Sequence, residues 1–254
     1  MIDLDEINAN LADIMGKYAL DPLGFAEYAF PWGEPGTELE NDKLEDWQRD
    51  FLDDVGKQLR AAPRNKIQKT ISALIQEAVS SGHGIGKSAL LGILINWSMC
   101  TSVDTRGVIT ANTESQLHTK TWAELAKWHR LCIANHWFRL AGTSIHSIIP
   151  GHELTWKIDA IPWSLQHPEA FAGLHNKGKR ILIIMDEASA IPKQIWEVAE
   201  GATTDDETEI LFLAFGNPTR NEGRFYDCFH KFRHRWNCRQ IDSRDVTITN
   251  KEEL

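Results

Sequence analysis

"SSGHGIGKSALL", residues 80–91, sets three glycines, a lysine and serines between an apolar run and a segment that is apolar on nearly every side. Gly82, Gly84 and Gly86 free the backbone to turn tightly and to face its N–H groups inward. The result is an anion cradle at the head of a helix whose dipole also favours negative charge. Lys87 is then placed to reach the β- and γ-phosphates of a nucleotide, and Ser88 to offer its hydroxyl to Mg²⁺. The pattern is G-x-x-x-x-G-K-[ST], with Ser81 standing where its first glycine would be. A glycine-rich turn that contains GKS by chance would show the same residues. On the phosphate reading, Ser81, Gly82, His83, Gly84, Ile85, Gly86, Lys87 and Ser88 bind the nucleotide.

About a hundred residues further on, Asp186 and Glu187 close the apolar run of "KRILIIMDEAS". ATP hydrolysis needs one carboxylate to hold a metal's water shell and a second to orient the attacking water. Asp186 fits the first role, beside Ser88, and Glu187 fits the catalytic one. The bland alternative is an exposed acidic pair after a core strand. The strand "RGVITA" is expected to lie between the loop strand and the Asp–Glu strand. With Glu187 next to Asp186, that arrangement favours motor-type ATPases over kinases and small GTPases. A GTPase would also need a guanine-reading loop such as N-K-x-D, and none is present.

Outward from these two motifs, helices are expected over 1–30 with loose spacing, over 44–59, along "SALLGILINWSMC", as one long helix over 114–137, and in "IPKQIWEVAEGA". Strands are expected before the glycine loop and in "RGVITA", "ELTWKID", "KRILIIM" and "EILFLAFG". Strands without alternation, separated by helices, indicate a mainly parallel sheet covered on both faces. Ligands in such sheets sit at the carboxyl ends of the strands, where "SSGHGIGKS", "DEAS" and "GNPTR" fall. The fold class is therefore α/β: a P-loop NTPase of the additional-strand (ASCE) type, with a mainly parallel central sheet, flanking helices and a small helical N-terminal segment.

The composition agrees with a globular protein: 254 residues, 42% hydrophobic, ten tryptophans. No run approaches eighteen apolar residues and "MIDLDEINAN" does not read as a secretory signal, so a cytosolic location and no membrane partner are expected. Four scattered cysteines suggest reduced thiols. The formal charge of −9 argues at first against nucleic acid, but residues 1–54 alone hold fifteen acidic side chains against Lys17, Lys43 and Arg49. The remainder is near neutral and carries a basic aromatic stretch, "RFYDCFHKFRHRWNCR", which suits DNA or a solvated face equally. Its Cys228, His230, His234 and Cys238 lack the paired spacing of a structural zinc site.

In that order and spacing, "EDWQRDFL", "SSGHGIGKSALL", "TANTESQL", "FAGLHNKGKRILIIMDEAS" and "FLAFGNPTRNEGRFYDCF" resemble the ATPase domain of the large terminase subunit of tailed bacteriophages, the motor that packs DNA into procapsids. The resemblance spans residues 44–245. It implies an acidic N-terminal segment over 1–43, an ATPase domain over 44–245, and the start of a linker over 246–254, with the RNase H-like nuclease domain absent from this chain. It implies ATP and Mg²⁺ as cofactors. Double-stranded DNA, the portal protein, the small terminase subunit and further copies of the chain in a ring would be partners. The location would be the cytoplasm of an infected bacterium, transiently at the procapsid portal.

By position, Gln48 becomes the adenine-contacting glutamine and Asn217, in "GNPT", the coupling residue that senses the γ-phosphate. A surface-helix glutamine and a turn asparagine are the plain alternatives. His83 stands where many terminases carry arginine, and it does not guarantee a full positive charge. The resemblance then asks for an arginine in trans, with Arg106, Arg130, Arg139 and Arg180 as candidates. Two rival functions stay open. One is another nucleic-acid translocase such as a helicase. The other is a non-hydrolysing interaction domain of a truncated terminase, recognised by portal, small terminase or a bacterial antiviral sensor.

Overall fold

Continuous apolar runs place their strands where both faces are covered. In β6 (Arg180–Met185) and β7 (Glu209–Gly216) every residue is buried. With β1 (Ala73–Ser81), β2 (Arg106–Thr110), β5 (Lys157–Ala160) and β8 (Asn237–Ile241) they build the parallel part of an eight-stranded sheet. The order across it is β3-β4-β5-β2-β6-β7-β1-β8, where β3 (Phe138–Leu140) and β4 (Ser144–Ser147) add an antiparallel edge. The computed structural model describes residues 4–63, 72–111, 117–166, 174–204 and 207–249. Residues 112–116 of "TANTESQL" and 171–173 of "FAGLHNKGKRILIIMDEAS" lie outside them.

One face of the sheet carries α4 (Lys87–Thr101), which is buried from Leu90 through Cys100 and so lies between the sheet and a further layer. That layer is α1 (Leu4–Lys17), α2 (Pro22–Ala29) and α5 (Ala123–Leu131), while α3 (Asp46–Ala61) packs directly on the sheet, with Phe51 against Phe215 of β7. Met15, Phe25 and Leu39 of the acidic N-terminal segment join the same apolar core as Ile93 and Leu213. The Trp97 indole N–H, itself buried, donates to the Tyr18 carbonyl at 2.8 Å. The opposite face is covered by α6 (Lys193–Gly201) and α7 (Arg224–Phe229), around Trp196, Phe212 and Trp236.

Three expectations need correction. The strand between β1 and β6 is β7, whereas "RGVITA" (β2) lies on the far side of β6. β2, β6 and β7 are all buried, largely apolar runs, so composition cannot rank them; the crossovers decide the order. The long helix over 114–137 is, in its described part, a π-helical turn at Leu117–Trp122, then α5, then a 3₁₀ turn at Asn135–Trp137. In "ELTWKID" only the end is strand, because the Trp156 N–H turns back to the His152 carbonyl at 2.8 Å.

The basic aromatic stretch is partly structural. The guanidinium of Arg224 is buried against Glu200 and lies 3.7 Å from the Phe232 ring centroid. Arg239 pairs with Asp54, whose carboxyl it holds below its ordinary pKa through that hydrogen bond. Cys228 is buried and its thiol bonds to the Arg224 carbonyl, while His230 stacks on Tyr226 at 3.7 Å. Among the described residues no group of three or more His, Cys, Asp or Glu side chains is placed to hold a metal ion. Among them, too, no helix is long and apolar enough to cross a membrane.

Candidate functional site

Because β7 lies between β1 and β6, the three polar strand ends meet at one edge of the sheet. They border a cleft of about 500 Å³ lined by Gln48, His83 through Ser88, Thr121, Asp186 and Glu187, with Thr247 and Ile248 on one wall. Ser81 and Asn217 stand just behind it, both buried and both hydrogen-bonded to Lys87.

The loop from Gly82 to Gly86 is held by its carbonyls. The Trp47 indole donates to the Ile85 carbonyl at 3.0 Å and Gln48 Nε2 to the Gly86 carbonyl at 2.9 Å. Lys87 Nζ takes the Gly82 carbonyl at 3.0 Å. Gly86 sits at φ +85, and a Cβ there would come within 2.8 Å of the Gln48 amide nitrogen. The left-handed backbone calls for glycine, and any side chain there would also displace the Gln48 clamp. Among the described residues, the backbone N–H groups of His83, Gly84, Ile85 and Gly86 make no hydrogen bond. Carbonyls tied outward with donors left unspent, at the start of a helix, form an anion receptor.

Gln48 is thus first a clamp on the loop. Its Oε1 also accepts from the Glu45 N–H at 3.0 Å, completing a capping box at the start of α3. A ligand would meet only its second N–H and second lone pair. Glu45 in turn accepts from the Thr247 N–H at 3.0 Å and from the Thr247 hydroxyl, which draws residues 246–249 over the loop.

Lys87 spends its three donors on Ser81 Oγ (3.1 Å), the Gly82 carbonyl and Asn217 Oδ1 (2.5 Å). Burial lowers its pKa, opposed by the charges of Glu187 and Asp186. Burial pushes the Asp186 carboxyl up, opposed chiefly by a hydrogen bond from the Thr121 hydroxyl at 2.6 Å. The second Asp186 oxygen accepts from the Glu187 N–H at 3.0 Å. Glu187 has left-handed backbone, φ 53, a conformation a non-glycine residue keeps only where its surroundings impose it.

Sequence reading missed Thr121 and the Trp47 clamp. Thr121 sits in a stretch that reads as plain helix, and a π-helical turn, frequent at functional sites, leaves no periodic signal. Of the candidate arginines, Arg180 is 2% exposed and paired with Glu209, so it cannot reach a neighbouring subunit's nucleotide. Arg106 opens β2, at the end of the sheet away from the cleft, and Arg130 pairs with Glu38. Arg139 is exposed on the edge strand β3, without a partner among the described residues.

A glycine loop between a strand and a buried helix, with an Asp–Glu pair two strands away in a parallel sheet, defines a P-loop NTPase fold. Among known proteins, the chain is similar to a probable terminase large subunit of Enterobacteria phage P7, 30% identical over 161 residues, which cover 61% of this chain and 31% of that protein. The crystal structure of the HK97 bacteriophage large terminase shares its fold with a TM-score of 0.59, at 15% identity, over 92% of this chain and 46% of that one. A large terminase of the thermophilic bacteriophage D6E, solved in complex with ADP, aligns with a TM-score of 0.49 at 13% identity over 70% and 42% of the two chains. No protein-family model matches the chain. The similarity to large terminases of tailed phages read from the motifs therefore holds in the aligned sequence of the P7 protein and in the fold of the HK97 protein. The chain spans about a third of the length of the P7 relative.

Proposed function

We propose that the chain is the ATPase part of a phage DNA-packaging motor, hydrolysing ATP to move double-stranded DNA into a procapsid. The observation that carries the nucleotide reading is the loop whose carbonyls are bound by Trp47, Gln48 and Lys87 while its N–H groups remain free for phosphate oxygens. Ser88 at the head of α4 and Asp186 at the end of β6 supply hydroxyl and carboxylate oxygens, the donor set Mg²⁺ prefers. Bound there, the ion would neutralise charge on the β- and γ-phosphates. Glu187 orients the attacking water, and Asn217 links the γ-phosphate position to the loop after β7. The motor's partners on this reading are DNA, the portal, the small terminase subunit and neighbouring copies in a ring. The transition-state charge not met by His83 would be met by an arginine from such a copy.

The test is steady-state ATP hydrolysis against protein concentration, with and without double-stranded DNA. A rate per molecule that rises with concentration and with DNA is expected, since a trans arginine contributes on the order of 10³-fold or more. Measurable ATP binding with equal, negligible turnover under every condition would replace the motor by a nucleotide-binding interaction domain.

Thr121 gives a sharper local prediction. Thr121→Val keeps the shape but removes the donor that orients Asp186, and loss of such a support typically weakens a metal site by about 10–100-fold. The Mg²⁺ concentration for half-maximal hydrolysis should rise by at least about tenfold while Mg²⁺-free ATP binding stays within about twofold. An unchanged Mg²⁺ requirement would make Thr121 merely a core residue.

A further inference from the structure

His83, the residue that departs from the arginine of many terminases, is hydrogen-bonded to the coupling residue. Its Nε2 lies 2.8 Å from Asn217 Nδ2. The hydrogens in this chain of contacts are fixed by chemistry. Lys87 can only donate, so the Asn217 atom 2.5 Å from it is the carbonyl oxygen. The Asn217 NH₂ group therefore faces His83, and the ring accepts through an Nε2 that carries no proton. Asn217 is 6% exposed and His83 is exposed on the loop, so the contact runs from the buried end of β7 to the mouth of the cleft. Arginine at position 83 has no acceptor and could not make it.

Resting on the nucleotide reading above, we propose that His83 is a positioning residue that docks Asn217 while no γ-phosphate is present. A γ-phosphate that draws the Asn217 amide toward itself breaks the contact with His83, and that exchange frees the loop after β7. A nucleotide lacking the γ-phosphate has no oxygen to offer there and leaves the dock intact. His83 then stabilises the empty and ADP-bound site against the ATP-bound one. A ligand shifts such an equilibrium only through its different affinity for the two states. Removing the dock should tighten ATP binding relative to ADP binding, whereas damage to the loop would weaken ATP and ADP alike.

The experiment measures dissociation constants for ATP and ADP with Mg²⁺ by titration calorimetry, in a Glu187→Gln background that prevents turnover, with thermal unfolding recorded for each variant. His83→Ala and His83→Arg should raise the affinity for ATP relative to ADP by about 2–10-fold, the range set by the worth of one hydrogen bond. His83→Gln offers an amide oxygen in place of Nε2 and should return toward the parent values. ATP and ADP affinities that move together, or ATP binding that weakens selectively, would overturn the dock. A parent that binds neither nucleotide would refute the nucleotide reading itself, and the dock with it.

Discussion

Glu187→Gln is expected to lower ATP hydrolysis by about 10²–10⁴-fold while ATP affinity stays within about threefold of wild type. Glutamine keeps the length and planarity of the side chain but cannot take a proton from the attacking water. The position is specific. Asp186 ends a fully buried strand and is held by Thr121 and by the Glu187 N–H, so its carboxylate is committed to the floor of the cleft. Glu187 follows at φ 53, half-buried on the rim of the same cleft. Lys87→Ala should behave differently, losing ATP affinity because Lys87 is the half-buried cation beside the loop. Parallel nucleotide titrations and single-turnover hydrolysis separate the two. A Glu187→Gln rate within tenfold of wild type would remove Glu187 from the catalytic role.

The second large effect concerns stability. Arg180 is 2% exposed, its Nε donates to Glu209, and its terminal nitrogens donate to Thr101 Oγ1 at 3.0 Å and to the Ala19 carbonyl at 2.7 Å. Its guanidinium also lies 4.0 Å from the Trp97 ring centroid. One side chain thus joins β6, β7, α4 and the turn after α1. Arg180→Met should destabilise the chain by about 3–5 kcal/mol, because Glu209 is left buried without its partner. For a domain of this size that corresponds to a fall of roughly 6–20 °C in Tm. Arg180→Met combined with Glu209→Met should recover much of the loss, since replacing a whole buried pair by apolar groups is often neutral. Urea unfolding of the two variants checks both statements. Equal losses in the single and double variants would mean that the pair contributes only through packing.

Much of the site was legible because its chemistry is written in contiguous residues. The glycine spacing of 82–86, the Lys87–Ser88 pair, and the carboxylates closing an apolar run each stand out within a few positions of sequence, and all border the same cleft. Asn217 was legible as the polar end of a strand, though its bonds to Lys87 and His83 were not. Gln48 was legible as a site residue, yet its engaged amide makes it a clamp on Gly86, supported by Trp47 at Ile85. Arg180 looked like one of four interchangeable arginines, and only burial separates it from Arg139.

The sequence by itself determined the class of fold and the glycine loop, lysine, serine and carboxylates that line the cleft. Local patterns of apolar runs, glycines and charges carry that information, because backbone conformation and helix dipoles act over a few residues. Only the tertiary structure decided that β7 separates β1 from β6, that Thr121 orients Asp186 and that His83 holds Asn217. Contacts between residues 65 and 134 positions apart depend on which buried strands become neighbours, and strands that are apolar on both faces carry no local mark of their order.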